Sequence, residues 1–216
     1  MNPIRPLHRL AKQIGIVRER PARINRGPNA RTLEFLKATH CRTIAEIGVG
    51  RGVTSEAILT WLGGRGVLHL FDFDDRLSRV AERLHDRRLT NFVSHGNSHR
   101  TLDSYNWSLM KLLEKSPEPL LEYVYLDGAH TWAVDALAFL LLDRLLKPGG
   151  YVDFDDYNWT IDRSPTINPR VFPRIREWYT DEQMRTPQVA SIVELLVRRS
   201  RRYDEVVPNK IFRKLQ

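Results

Sequence analysis

The sequence predicts an α/β protein built on a doubly wound, mostly parallel sheet of seven strands with an antiparallel C-terminal strand. Three observations predict it. Short apolar runs alternate with amphipathic stretches of helical length from Thr43 to Phe154, the rhythm of βαβ units with right-handed crossovers. A glycine cluster, Gly48-Val49-Gly50-Arg51-Gly52, stands at the first strand-to-helix junction. The last two strand-like runs are separated only by Pro208-Asn209, a link short enough to make them antiparallel to each other.

The elements follow in order. Residues 1–28 hold Pro3, Pro6, Pro21 and Pro28 with one helical stretch, Leu7–Ile16, and read as an arm. Residues 30–39 read as a helix. Thr43–Ile47 is the first strand, and Val53–Leu62 is a helix with Thr54 as its N-cap and Gly63-Gly64 as its stop. Val67–Phe73 is the second strand. Arg76–Arg87 is an amphipathic helix with Leu77, Val80, Ala81 and Leu84 on one face. Asn91–Ser94, Leu120–Leu126 and Tyr151–Phe154 are strands, Leu102–Glu114 a helix. Trp132–Leu146 is an apolar helix ended by Lys147-Pro148-Gly149-Gly150. A proline-bearing loop leads to helices near Arg174–Tyr179 and over Val189–Val197, then to strands Tyr203–Val207 and Lys210–Lys214. Residues 1–42 form a basic arm and helix, and 43–216 the globular domain.

The chain has 216 residues and a formal net charge of +8. Ten Lys/Arg against two acids fall in residues 1–42, so the body from Thr43 carries 24 of each sign and is neutral. The basic excess invites a nucleic-acid or anionic-surface reading, but only of the arm. The arm reads as a solvated or oligomer-packing extension, as a collector of an anionic acceptor, or as a nucleic-acid grip. A homo-oligomer is expected on the packing reading. No Asp/Asn-Pro-Pro-aromatic motif and no RNA-binding signature occur outside the arm, which argues against nucleic acid. The longest apolar run, Ala136–Leu142, is too short to span a bilayer, and the basic N-terminus lacks the apolar stretch of a secretory signal. The single cysteine, Cys41, excludes an internal disulfide and suggests a reducing, cytoplasmic setting; it reads as a small buried apolar residue, and Trp132 as core.

Two constellations carry chemistry. In Glu46-Ile47-Gly48-Val49-Gly50-Arg51-Gly52 the glycines let backbone approach a ligand, and the following helix offers free N–H groups. An acid two residues ahead of Gly48 repels a pyrophosphate and suits a cationic or amino-bearing ligand. The second strand ends in Phe71-Asp72-Phe73-Asp74-Asp75: a carboxylate there can take both ribose hydroxyls, and Phe73 can cover adenine. Asn97 and Ser98 end the third strand where an adenine edge would lie. The plain alternative is a glycine-rich turn with surface acids.

The second constellation is Asp127-Gly128-Ala129-His130 with Asp155-Asp156, at the ends of the fourth and fifth strands. In this topology those strands are neighbours, and open α/β sheets bind ligands at such carboxyl ends. Three carboxylates there repel unless a cation intervenes, and an all-oxygen set suits Mg²⁺ or a similar divalent ion. His130 lies close enough to Asp127 to take a proton from a hydroxyl held there. The alternative is that Asp127 and Asp155 bond loop backbone and His130 adjoins a helix cap. Tyr157, Asn158 and Trp159 follow as candidate acceptor wall or loop anchor.

Over residues 40–216 the chain resembles the class I S-adenosylmethionine-dependent methyltransferases, which are Rossmann-like. EIGVGRG is similar to their first motif, FDFDD to their acidic second-strand end, and LLKPGG-YVDFDD to their fifth-strand approach. The resemblance implies S-adenosyl-L-methionine as cofactor, with Glu46 facing its methionine end, Gly48 and Gly50 lining it, and Asp72 (or Asp74, were the strand two residues longer) on the ribose. Asp-Gly-x-His with a later acidic pair resembles the metal-dependent sugar and natural-product O-methyltransferases, of macrolide-sugar and cephamycin type. There the first Asp and the acidic pair hold Mg²⁺ and the His is the base. Here Asp155 stands where Glu is frequent, and Asp156 where catechol-type enzymes have Asn. The expected reaction is methyl transfer to a hydroxyl of a sugar, glycan or other small-molecule acceptor. The rivals are an RNA methyltransferase gripping through the arm, a non-catalytic binding protein, and a hydroxylase of cephalosporin type.

Overall fold

The computed structural model describes residues 27–99 and 103–216. The arm helix read over Leu7–Ile16 lies outside them. Among the described residues no helix is long and apolar enough to cross a membrane. They fall into two compact units, residues 160–186, and 27–159 with 187–216.

The larger unit is a seven-stranded sheet in the order β3-β2-β1-β4-β5-β7-β6. Its elements are α1 (Ala30–Lys37), β1 (Thr43–Ile47), α2 (Val53–Leu62), β2 (Val67–Phe73), α3 (Asp74–Asp86), β3 (Phe92–Asn97), α4 (Tyr105–Lys115), β4 (Leu121–Leu126), α5 (Trp132–Leu145), β5 (Leu146–Phe154), β6 (Tyr203–Val207) and β7 (Ile211–Lys214). Strands β1 to β5 pair in parallel, while β7 is antiparallel to both β5 and β6. The fold is the mostly parallel, doubly wound sheet that the alternation of elements predicts.

Because side chains alternate across a strand, each strand feeds two cores. Ala45, Ile47, Phe71, Val124, Leu126, Val152 and Phe154 face one way, against α4, α5 and the C-terminal helix. Ile44, Leu68, Leu70, Tyr123 and Tyr125 face the other, against α1, α2 and α3. Helix α1 is thus part of the sheet's own packing: Leu36 is fully buried, and Phe35 meets the rings of Tyr123 and Tyr151.

Several local expectations are corrected. Helix α2 is capped by Gly52 in a left-handed conformation, not by Thr54, whose hydroxyl instead accepts from Asn29 N–H. A Cβ on Gly52 would come within 2.5 Å of Val80, which is why the turn needs glycine. Helix α3 starts at Asp74, so Asp72 stays in the strand and Asp74 and Asp75 sit in the helix's first turn. Strand β3 runs on to Asn97. Strand β5 begins at Leu146: Leu121 pairs with Leu146 and Tyr123 with Tyr151, so Lys147–Gly150 is a bulge within the strand and not a loop before it. The segment Gln188–Ile192 (α7) continues as a π turn over Val193–Val197. Trp132 is 41% exposed and not core, whereas Cys41 is buried as read.

In residues 160–186, the helix read near Arg174–Tyr179 is a 3-10 turn, Pro173–Glu177. A short α-helix follows, α6 (Asp181–Arg185), opened by a capping box between Thr180 and Gln183.

Candidate functional site

The chemistry gathers at the carboxyl ends of β2, β1, β4 and β5, on the α1 side of the sheet. Glu46 shares the facing of Ile44, Asp72 that of Leu68 and Leu70, and Asp127 and Asp155 continue the alternation of Tyr123-Tyr125 and Tyr151-Asp153. One period-two pattern therefore brings acids from four strands to one edge.

On the glycine-loop side, Gly48 has φ +88°, and a Cβ there would lie 1.9 Å from the Asp127 carbonyl oxygen. Gly48 thus allows the β1 and β4 ends to close on each other. Asp72 is buried; its Oδ2 accepts from Gly50 N–H at 2.8 Å, and its Oδ1 from Phe73 N–H at 2.7 Å and from Arg76 at 3.1 Å. Arg76, whose guanidinium also lies 5.4 Å from the Phe73 ring, is a site residue that sequence reading missed. Asn97 pairs in register with Phe73 at the end of β3 and is buried, while Ser98 is exposed and bonded to His99. A Cβ on Gly96 would meet the Asp74 carboxylate, so the β3 end is also close-packed.

Glu46 is 2% exposed and accepts from Ser55 Oγ at 2.5 Å. Burial, reinforced by the charge of Asp72, pushes its carboxyl up to about 8 against the Ser55 hydrogen bond. It is a group poised to ionise when a cation arrives.

On the other side, His130 Nε2 lies 3.4 Å from Asp127 Oδ1 and 3.6 Å from Asp156 Oδ2. His130 and Asp156 both hold left-handed backbone, φ 58° and 53°, a costly conformation for residues with a Cβ. Asp135, in the first turn of α5, holds the His130 turn in place. Its Oδ2 accepts from His130 N–H at 2.7 Å and its Oδ1 from Ala129 N–H at 3.2 Å and from the Tyr105 hydroxyl. Gly128 leaves room for that arrangement, since a Cβ would come within 2.3 Å of Tyr105 Oη. Nδ1 of His130 is buried with no partner among the described residues, and the Trp159 ring stands 5.2 Å away. Polar traffic through His130 therefore runs through Nε2.

Asp127 also accepts from the Tyr125 hydroxyl at 3.3 Å. Burial, then the charges of Asp155, Asp156 and Glu46, hold its carboxyl well above the usual carboxylate range. Burial, then the charges of Asp127, Asp155 and Asp153, raise the Tyr125 phenol. Asp155 Oδ1 accepts from Asn29 Nδ2 at 2.9 Å, and Lys210 Nζ lies 3.6 Å from it. Of the candidate acceptor wall, Trp159 stands beside His130 and Asn158 is exposed. The Tyr157 hydroxyl donates to Glu194 at 2.6 Å, and its ring packs on the core.

The donor set suits a hard divalent ion: carboxylates crowd one edge, and their mutual repulsion shows in Asp127. As placed, no three His, Cys, Asp or Glu side chains among the described residues are gathered closely enough to hold one. Asp155 is turned to Asn29 and Lys210 and Asp127 to the Tyr125 hydroxyl, while Asp127 and Asp156 both lie near His130 Nε2. Asn29 and Lys210 carry no motif; folding alone brings them here. The remaining histidine surprise is structural, a His69–His95 hydrogen bond of 2.9 Å across β2 and β3.

No curated protein sequence matches the chain. Its fold is shared with solved methyltransferase structures of low sequence identity. An O-methyltransferase from Bacillus cereus, in complex with SAH, is 14% identical with TM-score 0.57, covering 98% of this chain and 90% of that one. The O-methyltransferase TomG from Streptomyces achromogenes, involved in tomaymycin synthesis and in complex with SAM, is 14% identical with TM-score 0.57, covering 100% and 91%. An rRNA methylase from Streptococcus thermophilus is 17% identical with TM-score 0.53, covering 89% and 99%. The family model of a methyltransferase domain matches residues 45–157, more than half of the chain and the whole run from the glycine loop to the acidic pair. The chain thus belongs to the methyltransferase-domain family and has its Rossmann-like fold.

Proposed function

We propose that the protein is an S-adenosylmethionine-dependent O-methyltransferase that methylates a hydroxyl of a sugar, a glycan or another small molecule. The observation that carries this reading is His130, fixed in a strained turn with Nε2 between Asp127 and Asp156. A base belongs there if an acceptor hydroxyl is to be deprotonated beside a methyl donor in the glycine-loop pocket.

S-adenosylmethionine supplies the electrophilic methyl and leaves as S-adenosylhomocysteine. Glu46, ionised on binding, answers the ligand's amino group; Gly48 and Gly50 admit it; Asp72 takes the ribose hydroxyls in exchange for its own backbone partners; Phe73, Asn97 and Ser98 border the base. Asp127, between the two halves, serves both. Asp127, Asp155 and Asp156 would hold Mg²⁺, whose charge acidifies an acceptor hydroxyl. His130 Nε2 accepts the hydroxyl proton as the oxygen gains the methyl, and Asn158 and Trp159 line the approach. Holding donor and acceptor in line supplies most of the acceleration.

Calorimetric titration with S-adenosylhomocysteine tests this reading: binding that is lost in Asp72→Ala supports it, and no binding by the parent protein overturns it. A second reading, an RNA acceptor, draws on the +8 charge of residues 1–42 and the fold shared with an rRNA methylase. It predicts RNA binding by the full chain that falls steeply with salt and is lost when residues 1–28 are removed.

A further inference from the structure

Of the three acids read as an ion site, Asp155 is the one held by an amide and a lysine together. Asn29 Nδ2 donates to Oδ1 at 2.9 Å and Lys210 Nζ lies 3.6 Å from the same atom. Among the described residues, both side-chain contacts of Asp155 fall on that one oxygen. Neither partner comes from the strands that carry the acids. Asn29 caps α1, and Lys210 follows the turn between β6 and β7.

Both partners are themselves held. Asn29 Nδ2 also reaches Tyr125 Oη at 3.0 Å, its Oδ1 accepts from Thr32 N–H, and its own N–H donates to Thr54 Oγ1. Lys210 is 7% exposed; its Nζ sits 2.8 Å from Asp153 Oδ1 and 5.5 Å from the centre of the Tyr125 ring. Asp153 is fully buried, so Lys210 cannot leave without stranding a carboxylate in the interior.

We propose that Asn29 and Lys210 are positioning residues that clamp Oδ1 of Asp155 and compete with a divalent cation for it. Asp155 then offers a ligand one oxygen only, and the fixed ammonium opposes a second cation at its side. The inference rests on the reading of these acids as an ion site. It makes ion binding by the acceptor-free protein weak by construction, a property of two residues remote in sequence from every motif.

The test is calorimetric titration of Mn²⁺ into the full chain, without acceptor. Asn29→Ser keeps a capping oxygen for α1 but cannot reach Asp155. Lys210→Met is made together with Asp153→Asn, so that no buried acid loses its cation. Mn²⁺ affinity is expected to rise about fivefold in the first protein and about tenfold in the second, since each loses a competitor for the same oxygen. Unchanged or weaker affinity in both overturns the clamp while leaving the ion site standing. Absence of Mn²⁺ binding in the parent and both variants overturns the clamp and the ion site together. S-adenosylhomocysteine titrated into the same proteins reports separately on the glycine-loop pocket.

Discussion

Replacing Glu46 with Gln should flatten the pH dependence of stability and uncouple ligand binding from proton release. Glu46 is buried, and its carboxyl is raised from 4.5 to about 8, first by desolvation and then by Asp72. The folded state therefore holds a proton that the unfolded chain has already lost between those two values. Stability from this group is complete below about 4.5 and is lost as pH rises through about 8. Between pH 5 and 8 the loss amounts to roughly 3–4 kcal/mol, from about 1.4 kcal/mol for each tenfold change in proton activity. Gln keeps an oxygen for the Ser55 hydroxyl and cannot ionise. Urea unfolding of both proteins at pH 5, 6, 7 and 8 gives the comparison, and titrations common to both, such as that of Asp135, cancel in the difference. The parent should lose about 3 kcal/mol more than Glu46→Gln across this range. Parallel curves would refute the argument. In the same pair, S-adenosylhomocysteine binding at pH 7, measured in buffers of differing ionisation enthalpy, should release close to one proton from the parent and none from the variant.

Three further outcomes follow from the geometry. His130→Ala should lower kcat by about 10²- to 10⁴-fold with S-adenosylhomocysteine affinity unchanged, as rapid-quench turnover and calorimetry would show. Chelation with EDTA and Asp127→Ala should each reduce methyl transfer; turnover intact in both would remove the ion from the mechanism. Gly48→Ala forces a Cβ into the Asp127 carbonyl at a positive φ and should destabilise the fold by roughly 2–4 kcal/mol, read as a lowered melting temperature.

The strands of the sheet were legible because their burial is periodic and their ends are punctuated. β1, β2, α2 and β6 have the bounds that their sequence predicts. Misreadings arose where tertiary packing overrides local signals. Thr54 is a good capping residue, yet the turn packs so closely on Val80 that glycine takes the cap. Lys147–Gly150 has the composition of a turn, but the neighbouring β4 supplies partners on both sides and makes it a bulge. The short helix Asp181–Arg185 was missed although Thr180 and Gln183 spell its capping box; five residues carry too little periodicity to stand out.

At the site, the difference between what was read and what was missed has a physical basis. Glu46, Asp72, Asp127 and Asp155 are visible because each ends an apolar strand, and a sheet places such ends side by side. Their common facing also follows from sequence, since alternation along β1, β2, β4 and β5 gives all four the same parity. What alternation cannot give is the layer that covers them. Helix α1 lies over that face because Leu36 and Phe35 are apolar, and its first turn thereby delivers Thr32 to Asp153 and Asn29 to Asp155. Lys210 arrives from the antiparallel pair at the far end of the chain. The acid stripe is thus a property of the strands, whereas its neutralisation is a property of the packing. The charge count inverts accordingly: the arm supplies the protein's formal excess, but among the described residues the cations that meet the acids of the site, Arg76 at Asp72 and the buried Lys210 at Asp155, are drawn from the neutral body.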